Sequence, residues 1–128
     1  MRCLIVDDSA DFRAAARSML ERGGITVVAS AADGDEAQRL CGELRPDLAL
    51  VDIDLGGESG FDVAERICGA DAEHRPAVIL ISTFAEQDLA ELIAASPAAG
   101  FVSKMALSAD AIRDVLAGVA GLSGPQGR

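Results

Sequence analysis

Aromatic side chains and lysine are nearly missing from this sequence. It holds four Phe, no Trp and no Tyr, and Lys104 is its single lysine. Ala, Leu, Val and Ile must therefore fill any core, and with half of the residues apolar a folded domain is expected rather than a disordered chain. Positive charge is scarce as well. A net charge of −10 argues against direct binding to nucleic acid or to an anionic membrane surface, both of which are negative. The cysteines, Cys3, Cys41 and Cys68, are an odd number without metal-ligand spacing and read as small buried hydrophobes in a reducing cytosol. Long apolar runs are absent too. None could span a bilayer, and the first, Cys3-Leu4-Ile5-Val6, is too short for a signal peptide, so the expected location is cytoplasmic, away from the membrane.

What is present is an alternation of short apolar runs with helical patterns. The 128 residues make one domain, able to bury roughly two-thirds of its unfolded surface. Strands are expected at about Arg2–Val6, Ile25–Ala29, Leu48–Asp52, Ala77–Ser82 and Gly100–Ser103. Helices are expected from a cap at Ser9 or Asp11 to about Glu21, over Gly34–Leu44, from Gly60 with Val63, Ala64, Ile67 and Cys68 inward, at about Glu86–Ala95 carrying Leu89, Leu92 and Ile93, and over Ala109–Ala117. Five such units imply an α/β fold, a parallel sheet covered by helices on both faces. His74 falls in an expected loop and is read as exposed and incidental. Residues 118–128, Gly-rich and ending Gly-Pro-Gln-Gly-Arg, read as a flexible tail or a truncated linker after a domain of residues 1–117.

Four of the runs end in chemistry. The first ends in Asp7-Asp8, the third in Asp52, the fourth in Ser82-Thr83 and the fifth in Ser103-Lys104. Ligands bind at the carboxyl ends of strands in an open parallel sheet, so these groups are aimed at one edge. Taken singly, each has a plain alternative: an acid at a strand end is often a turn or cap residue, Ser82-Thr83 fits a helix cap, and Lys104 fits a solvated charge. Taken together, three carboxylates, a hydroxyl and one ammonium suit a divalent cation and a phosphoryl group. Mg²⁺ (or Mn²⁺) is the natural counterion for oxygen ligands of this kind. With it, Asp52 could act as a nucleophile toward phosphorus while Lys104 and Ser82 meet the incoming charge.

The stretches Leu4-Ile5-Val6-Asp7-Asp8-Ser9, Arg45-Pro46-Asp47-Leu48-Ala49-Leu50-Val51-Asp52, Gly60, Ile79-Leu80-Ile81-Ser82 and Gly100-Phe101-Val102-Ser103-Lys104 resemble the receiver domain of two-component response regulators, over residues 2–117. The resemblance implies a flavodoxin-like three-layer fold with strand order 2-1-3-4-5, as in chemotaxis regulators. It implies Asp52 as phosphoacceptor, Asp8 as direct Mg²⁺ ligand, Asp7 holding a metal-bound water and the backbone carbonyl of Asp54 completing the protein's share of the coordination. Ser82 would be the switch hydroxyl, with Thr83 a further hydroxyl contact, Lys104 the phosphoryl-binding lysine and Phe101 the aromatic switch. Asp54 and Phe84 would tune loss of the phosphoryl group, Phe84 by screening it from water. The donor would be a phosphohistidine on a sensor histidine kinase. The signal would leave through the face of the fourth helix, fifth strand and fifth helix, toward an output domain, a downstream protein or a second copy. On this reading the chain is a signalling domain rather than a turnover enzyme, either standing alone or belonging to a longer, DNA-binding regulator.

Gly56 stands where the family usually has Pro, which would loosen that loop, and Met105 stands where Pro often follows the lysine with a cis peptide bond. Two alternatives remain. Asp52-Ile53-Asp54 also fits the nucleophile motif of haloacid-dehalogenase-like phosphatases, although the acid pair here precedes it and no cap domain is visible. A receiver fold acting through its surface without cycling phosphate is the other.

Overall fold

A computed structural model describes residues 1–70, 75–84 and 86–123. The elements run β1 (Arg2–Val6), α1 (Ala10–Arg22), β2 (Thr26–Ala31), α2 (Gly34–Leu44), β3 (Leu48–Asp52), α3 (Gly60–Ala70), β4 (Ala77–Ser82), α4 (Ala90–Ala95), β5 (Gly100–Ser103) and α5 (Ala109–Ser123). The five strands are parallel in order β2-β1-β3-β4-β5, the 2-1-3-4-5 arrangement expected.

The continuous apolar runs have a direct cause. Successive side chains of a strand point to opposite faces, and here both faces are covered. Leu4, Val6, Ala49, Val51, Val78, Leu80 and Phe101 face α2 and α3. Cys3, Ile5, Leu48, Leu50, Ile79, Ile81 and Val102 face α1 and α5. Ser9 caps α1 by accepting from the Phe12 amide, and Asp33 caps α2 by accepting from the Glu36 amide.

Three boundaries differ from the sequence reading. The second strand begins one residue later and runs to Ala31, because the Ile25 amide is spent on the Leu20 carbonyl at the end of α1 and the register shifts by a bulge at Cys3/Leu4. The fourth helical region is split: a single 3₁₀ turn, Glu86–Asp88, precedes a six-residue α4. Leu89 sits outside that helix at its N-cap. Leu89 and Ile93 pack on the core, while Leu92 stays 55% exposed. The last helix continues past Ala117 to Ser123, since glycine weakens a helix without ending it. His74 lies outside the described residues. No cis peptide occurs among those described, so the Lys104–Met105 bond is trans.

Candidate functional site

The strand registers bring the sequence-predicted groups to one edge. Val6 pairs with Val51, Asp52 with Ile81 and Ser82 with Ser103, so Asp7, Asp52, Ser82 and Lys104 leave the sheet at about one level. Asp7 and Asp52 are buried, as is Ser82, whereas Asp8 is exposed at the mouth. One carboxylate oxygen from each of Asp7, Asp8 and Asp52 lies within 4.8 Å of the others.

Local structure orients each acid. Asp7 Oδ1 accepts from the Ser9 amide at 2.8 Å, and its backbone carbonyl accepts from Arg13 Nη1 at 2.6 Å. Asp52 Oδ1 accepts from the Asp54 amide at 3.1 Å, and its Oδ2 accepts from Lys104 Nζ at 3.0 Å. The same ammonium lies 2.6 Å from Asp7 Oδ2, yet out of line for a hydrogen bond, and that fully buried oxygen has no aligned donor. Lys104 also sits 4.3 Å from the centre of the Phe12 ring, a cation–π contact.

These contacts set the charge states. Burial pushes the Asp52 carboxyl above the ordinary carboxylate range, opposed by the Asp54 amide and by Lys104. Burial alone would lower Lys104, but its contacts with Asp7 and Asp52 outweigh that and raise it, so the ammonium stays charged. One ammonium thus balances three carboxylates. The excess negative charge, the close oxygen set and the Asp7 oxygen that lacks an aligned hydrogen-bond donor fit a divalent oxygen-loving cation, for which Asp7, Asp8 and Asp52 are the available side chains.

The other expected positions are placed less centrally. Asp54 is exposed, its carboxylate accepting from the Gly56 amide at 3.2 Å. Ser82 Oγ accepts from the Phe84 amide at 2.9 Å, while the Phe84 ring is 57% exposed and Thr83 is exposed. Phe101 is buried in the core facing α2 and α3. Gly56 has φ +79, a backbone that proline cannot adopt, so this loop takes a different course from one built on Pro.

Sequence reasoning missed several contributors or their roles. Phe12 carries no sequence signal that links it to the site, and only the fold puts its ring under Lys104. Gly60 opens α3 so close to β3 that a Cβ there would overlap the carbonyl of Asp52 and the Cα of Ile53. Glu58 and Arg66 carry no pattern that links them, yet they meet at 3.1 Å beside the start of α2.

Comparison with known proteins follows the same line. The family model of the response regulator receiver domain matches residues 3–117. The chain is 32% identical over 117 residues to the transcriptional regulatory protein LiaR of Bacillus subtilis, covering 88% of this chain and 54% of LiaR. It therefore spans about half the length of that relative. Among solved structures it is similar to a LuxR-family two-component response regulator from Aurantimonas sp. SI85-9A1, with TM-score 0.80 and 30% identity, over 94% of this chain and 85% of that one. It is similar also to the receiver domain of the putative response regulator NarL from Mycobacterium tuberculosis, with TM-score 0.78 and 30% identity, over 94% and 96% of the two chains.

Proposed function

The chain belongs to the response regulator receiver domain family, and from that premise we propose that it accepts a phosphoryl group on Asp52 from a phosphohistidine of a sensor histidine kinase. The observation that carries this reading is the lone lysine bridging toward Asp7 and Asp52, with three carboxylate oxygens clustered at the same sheet edge.

Asp52 is held by two donors on different oxygens, which aims its carboxylate for attack on phosphorus and opposes the effect of burial on its charge. Asp7, Asp8 and the Asp54 carbonyl would hold Mg²⁺ or Mn²⁺, and the bound ion supplies charge neutralisation for the transferring phosphoryl oxygens. Lys104 then pairs with a phosphoryl oxygen, and the Ser82 hydroxyl, whose oxygen accepts from the Phe84 amide, donates its O–H to the phosphoryl group, with Thr83 adding a hydroxyl at the rim. Phosphorylation adds close to two negative charges and three acceptor oxygens. Phe101 is already inward, so the phosphoryl group would hold that packing rather than create it, and the α4-β5-α5 face would carry the change to an output domain, a downstream protein or a second copy. Phe84, exposed beside Ser82, would screen the acyl phosphate, with Asp54 on its other side.

No helix among the described residues is long and apolar enough to cross a membrane. Working with a kinase of this kind places the domain in the cytoplasm, as a signalling switch that catalyses only its own phosphoryl transfer and loss.

Acetyl phosphate with Mg²⁺, read by intact mass beside Asp52→Ala, tests this directly. A single adduct that requires both Mg²⁺ and Asp52 is expected. No adduct on protein shown to bind Mg²⁺ would favour a surface that works without phosphate, and steady turnover of a small phosphate ester would favour the phosphatase alternative.

A further inference from the structure

The loop from Ile53 to Ser59 joins the phosphoacceptor strand to α3, and it lacks the proline that usually stiffens it in this family. Its own hydrogen bonds form a tight hairpin: Leu55 N donates to the Glu58 carbonyl at 3.0 Å, Gly60 N donates to the Ile53 carbonyl at 2.8 Å, and Asp54 bridges Ser59. Leu55 is buried in the core below. Those contacts shape the hairpin. Glu58 ties its tip to the rest of the molecule.

Glu58 Oε1 accepts from the Gly34 amide at the start of α2 at 2.8 Å, and Oε2 accepts from Arg66 Nη1 of α3 at 3.1 Å. The rest of the Arg66 fork is engaged too, with Nε and Nη2 on Gln38 Oε1 at 3.1 and 2.8 Å and Nη2 on Asp35 Oδ1 at 2.7 Å. Three elements therefore converge on one carboxylate. Gly34 makes the convergence possible: a Cβ there would collide with the Glu58 carboxylate and lie 2.8 Å from Arg66 Nη1. From the same hairpin, the Asp54 amide holds Asp52 Oδ1, and the Gly56 Cα region faces Asp8 Oδ2.

From this we infer that Glu58, clamped between the Gly34 amide and Arg66, is a positioning residue that fixes the β3–α3 hairpin and through it the Asp54 amide and carbonyl that serve Asp52 and the metal. The clamp does for this chain what a loop proline does elsewhere, by side-chain tethering instead of a locked φ. The inference rests on the phosphoacceptor reading of Asp52. Residues that orient a metal ligand without touching the metal typically change affinity by roughly ten- to a hundredfold when removed.

Glu58→Ala removes the clamp. Gly34→Ala should expel the same carboxylate while keeping it in the sequence, and the atoms it displaces are the ends of flexible side chains, so the fold can accommodate it. Mg²⁺ affinity measured by calorimetry, without phosphodonor, is expected to weaken roughly tenfold in both variants. Amides of residues 53–60 should exchange faster in the metal-free state. At saturating Mg²⁺ the rate of Asp52 phosphorylation by acetyl phosphate should return to within about twofold of wild type, the split expected when positioning for the metal is lost and the chemistry is kept. Glu58→Gln, which keeps an acceptor for the Gly34 amide, should fall between. Gln38→Ala, which loosens Arg66 on its far side only, should bind Mg²⁺ as wild type does.

Wild-type Mg²⁺ affinity and unchanged exchange in Gly34→Ala and Glu58→Ala would overturn the inference, and so would an equal loss in Gln38→Ala, which would mean general α2–α3 packing. If Glu58→Ala fails to fold, Gly34→Ala decides. Wild-type protein that gains no adduct on Asp52 would sink the phosphoacceptor reading instead, with the calorimetry and exchange still deciding the clamp.

Discussion

Replacing Gly60 by alanine sets two rules against each other. In an isolated helix the change would stabilise by about 0.5–1 kcal/mol, because glycine loses more backbone freedom on folding. Here the new Cβ would stand 2.7 Å from Ile53 Cα and 2.8 Å from the Asp52 carbonyl carbon, with the Asp52 oxygen nearer still. Ordinary contact begins at 3.4 Å, and the Asp52 oxygen is the nearest atom, so the two backbones must part by well over about 0.7 Å. No flexible side chain can yield, since every clashing atom is main chain. Overpacking of this kind costs about 1–3 kcal/mol, and stretching the 2.8 Å Gly60–Ile53 hydrogen bond adds about 1 kcal/mol. Net destabilisation of about 1–3.5 kcal/mol is expected, a fall of roughly 0.5–2 M in urea midpoint for a domain of this size. The matched control is Gly42→Ala in α2, where nothing lies within 4 Å of the new methyl and the helix rule should act alone, stabilising by about 0.5–1 kcal/mol. Urea unfolding of both variants at one pH, without Mg²⁺, measures this. A Gly60→Ala midpoint at or above wild type would refute the close approach of α3 to the end of β3, and with it the account of how Asp52 is framed.

Lys104→Met should destabilise the metal-free protein by about 3 kcal/mol, because it strands the buried Asp7 carboxylate beside Asp52, and added Mg²⁺ should raise its melting temperature more than that of wild type. Installing the family's proline, Gly56→Pro, should harm rather than help: φ is +79 there and proline is held near −65°, so unfolding should become easier by at least about 1 kcal/mol and Mg²⁺ affinity should drop. Burial pushes the Cys3 thiol up to about 12 and the Cys41 thiol up to about 11 from an ordinary 9.0. The folded state favours the neutral thiols, so their contribution is intact below pH 9 and is lost as pH rises from 9 through 11 and 12, visible as a falling melting temperature in alkaline buffer. Native protein at neutral pH should accordingly show maleimide labelling at half-buried Cys68 well before Cys3 or Cys41, and equal labelling of all three would contradict the burial.

Much of the molecule could be read along the chain, because burial on both faces leaves a local mark. Leu48-Ala49-Leu50-Val51 and Ala77-Val78-Ile79-Leu80-Ile81 have no polar alternation, and strands covered on both sides need none. Asp7, Asp8, Asp52 and Lys104 were identifiable as ends of such runs, and a parallel sheet places the ends of its strands at one edge. The order 2-1-3-4-5 came from family resemblance, since periodicity says nothing about which strand neighbours which. The expected single helix Glu86–Ala95 failed for a related reason: nothing local marks the break at Leu89 that splits it into a 3₁₀ turn and a short α4.

The sequence by itself thus determined the class of fold, the buried strands and the chemistry at their ends, all of which depend on residues close together in the chain. Only the tertiary structure decided that Lys104 contacts Asp7 as well as Asp52, that the Phe12 ring lies under it, that Gly60 must lack a side chain and that Glu58, Arg66 and Gly34 form one clamp. Those contacts join residues brought together by strand register and by the course of a loop with positive φ. They leave no periodic trace, because each of them depends on where another element has been packed.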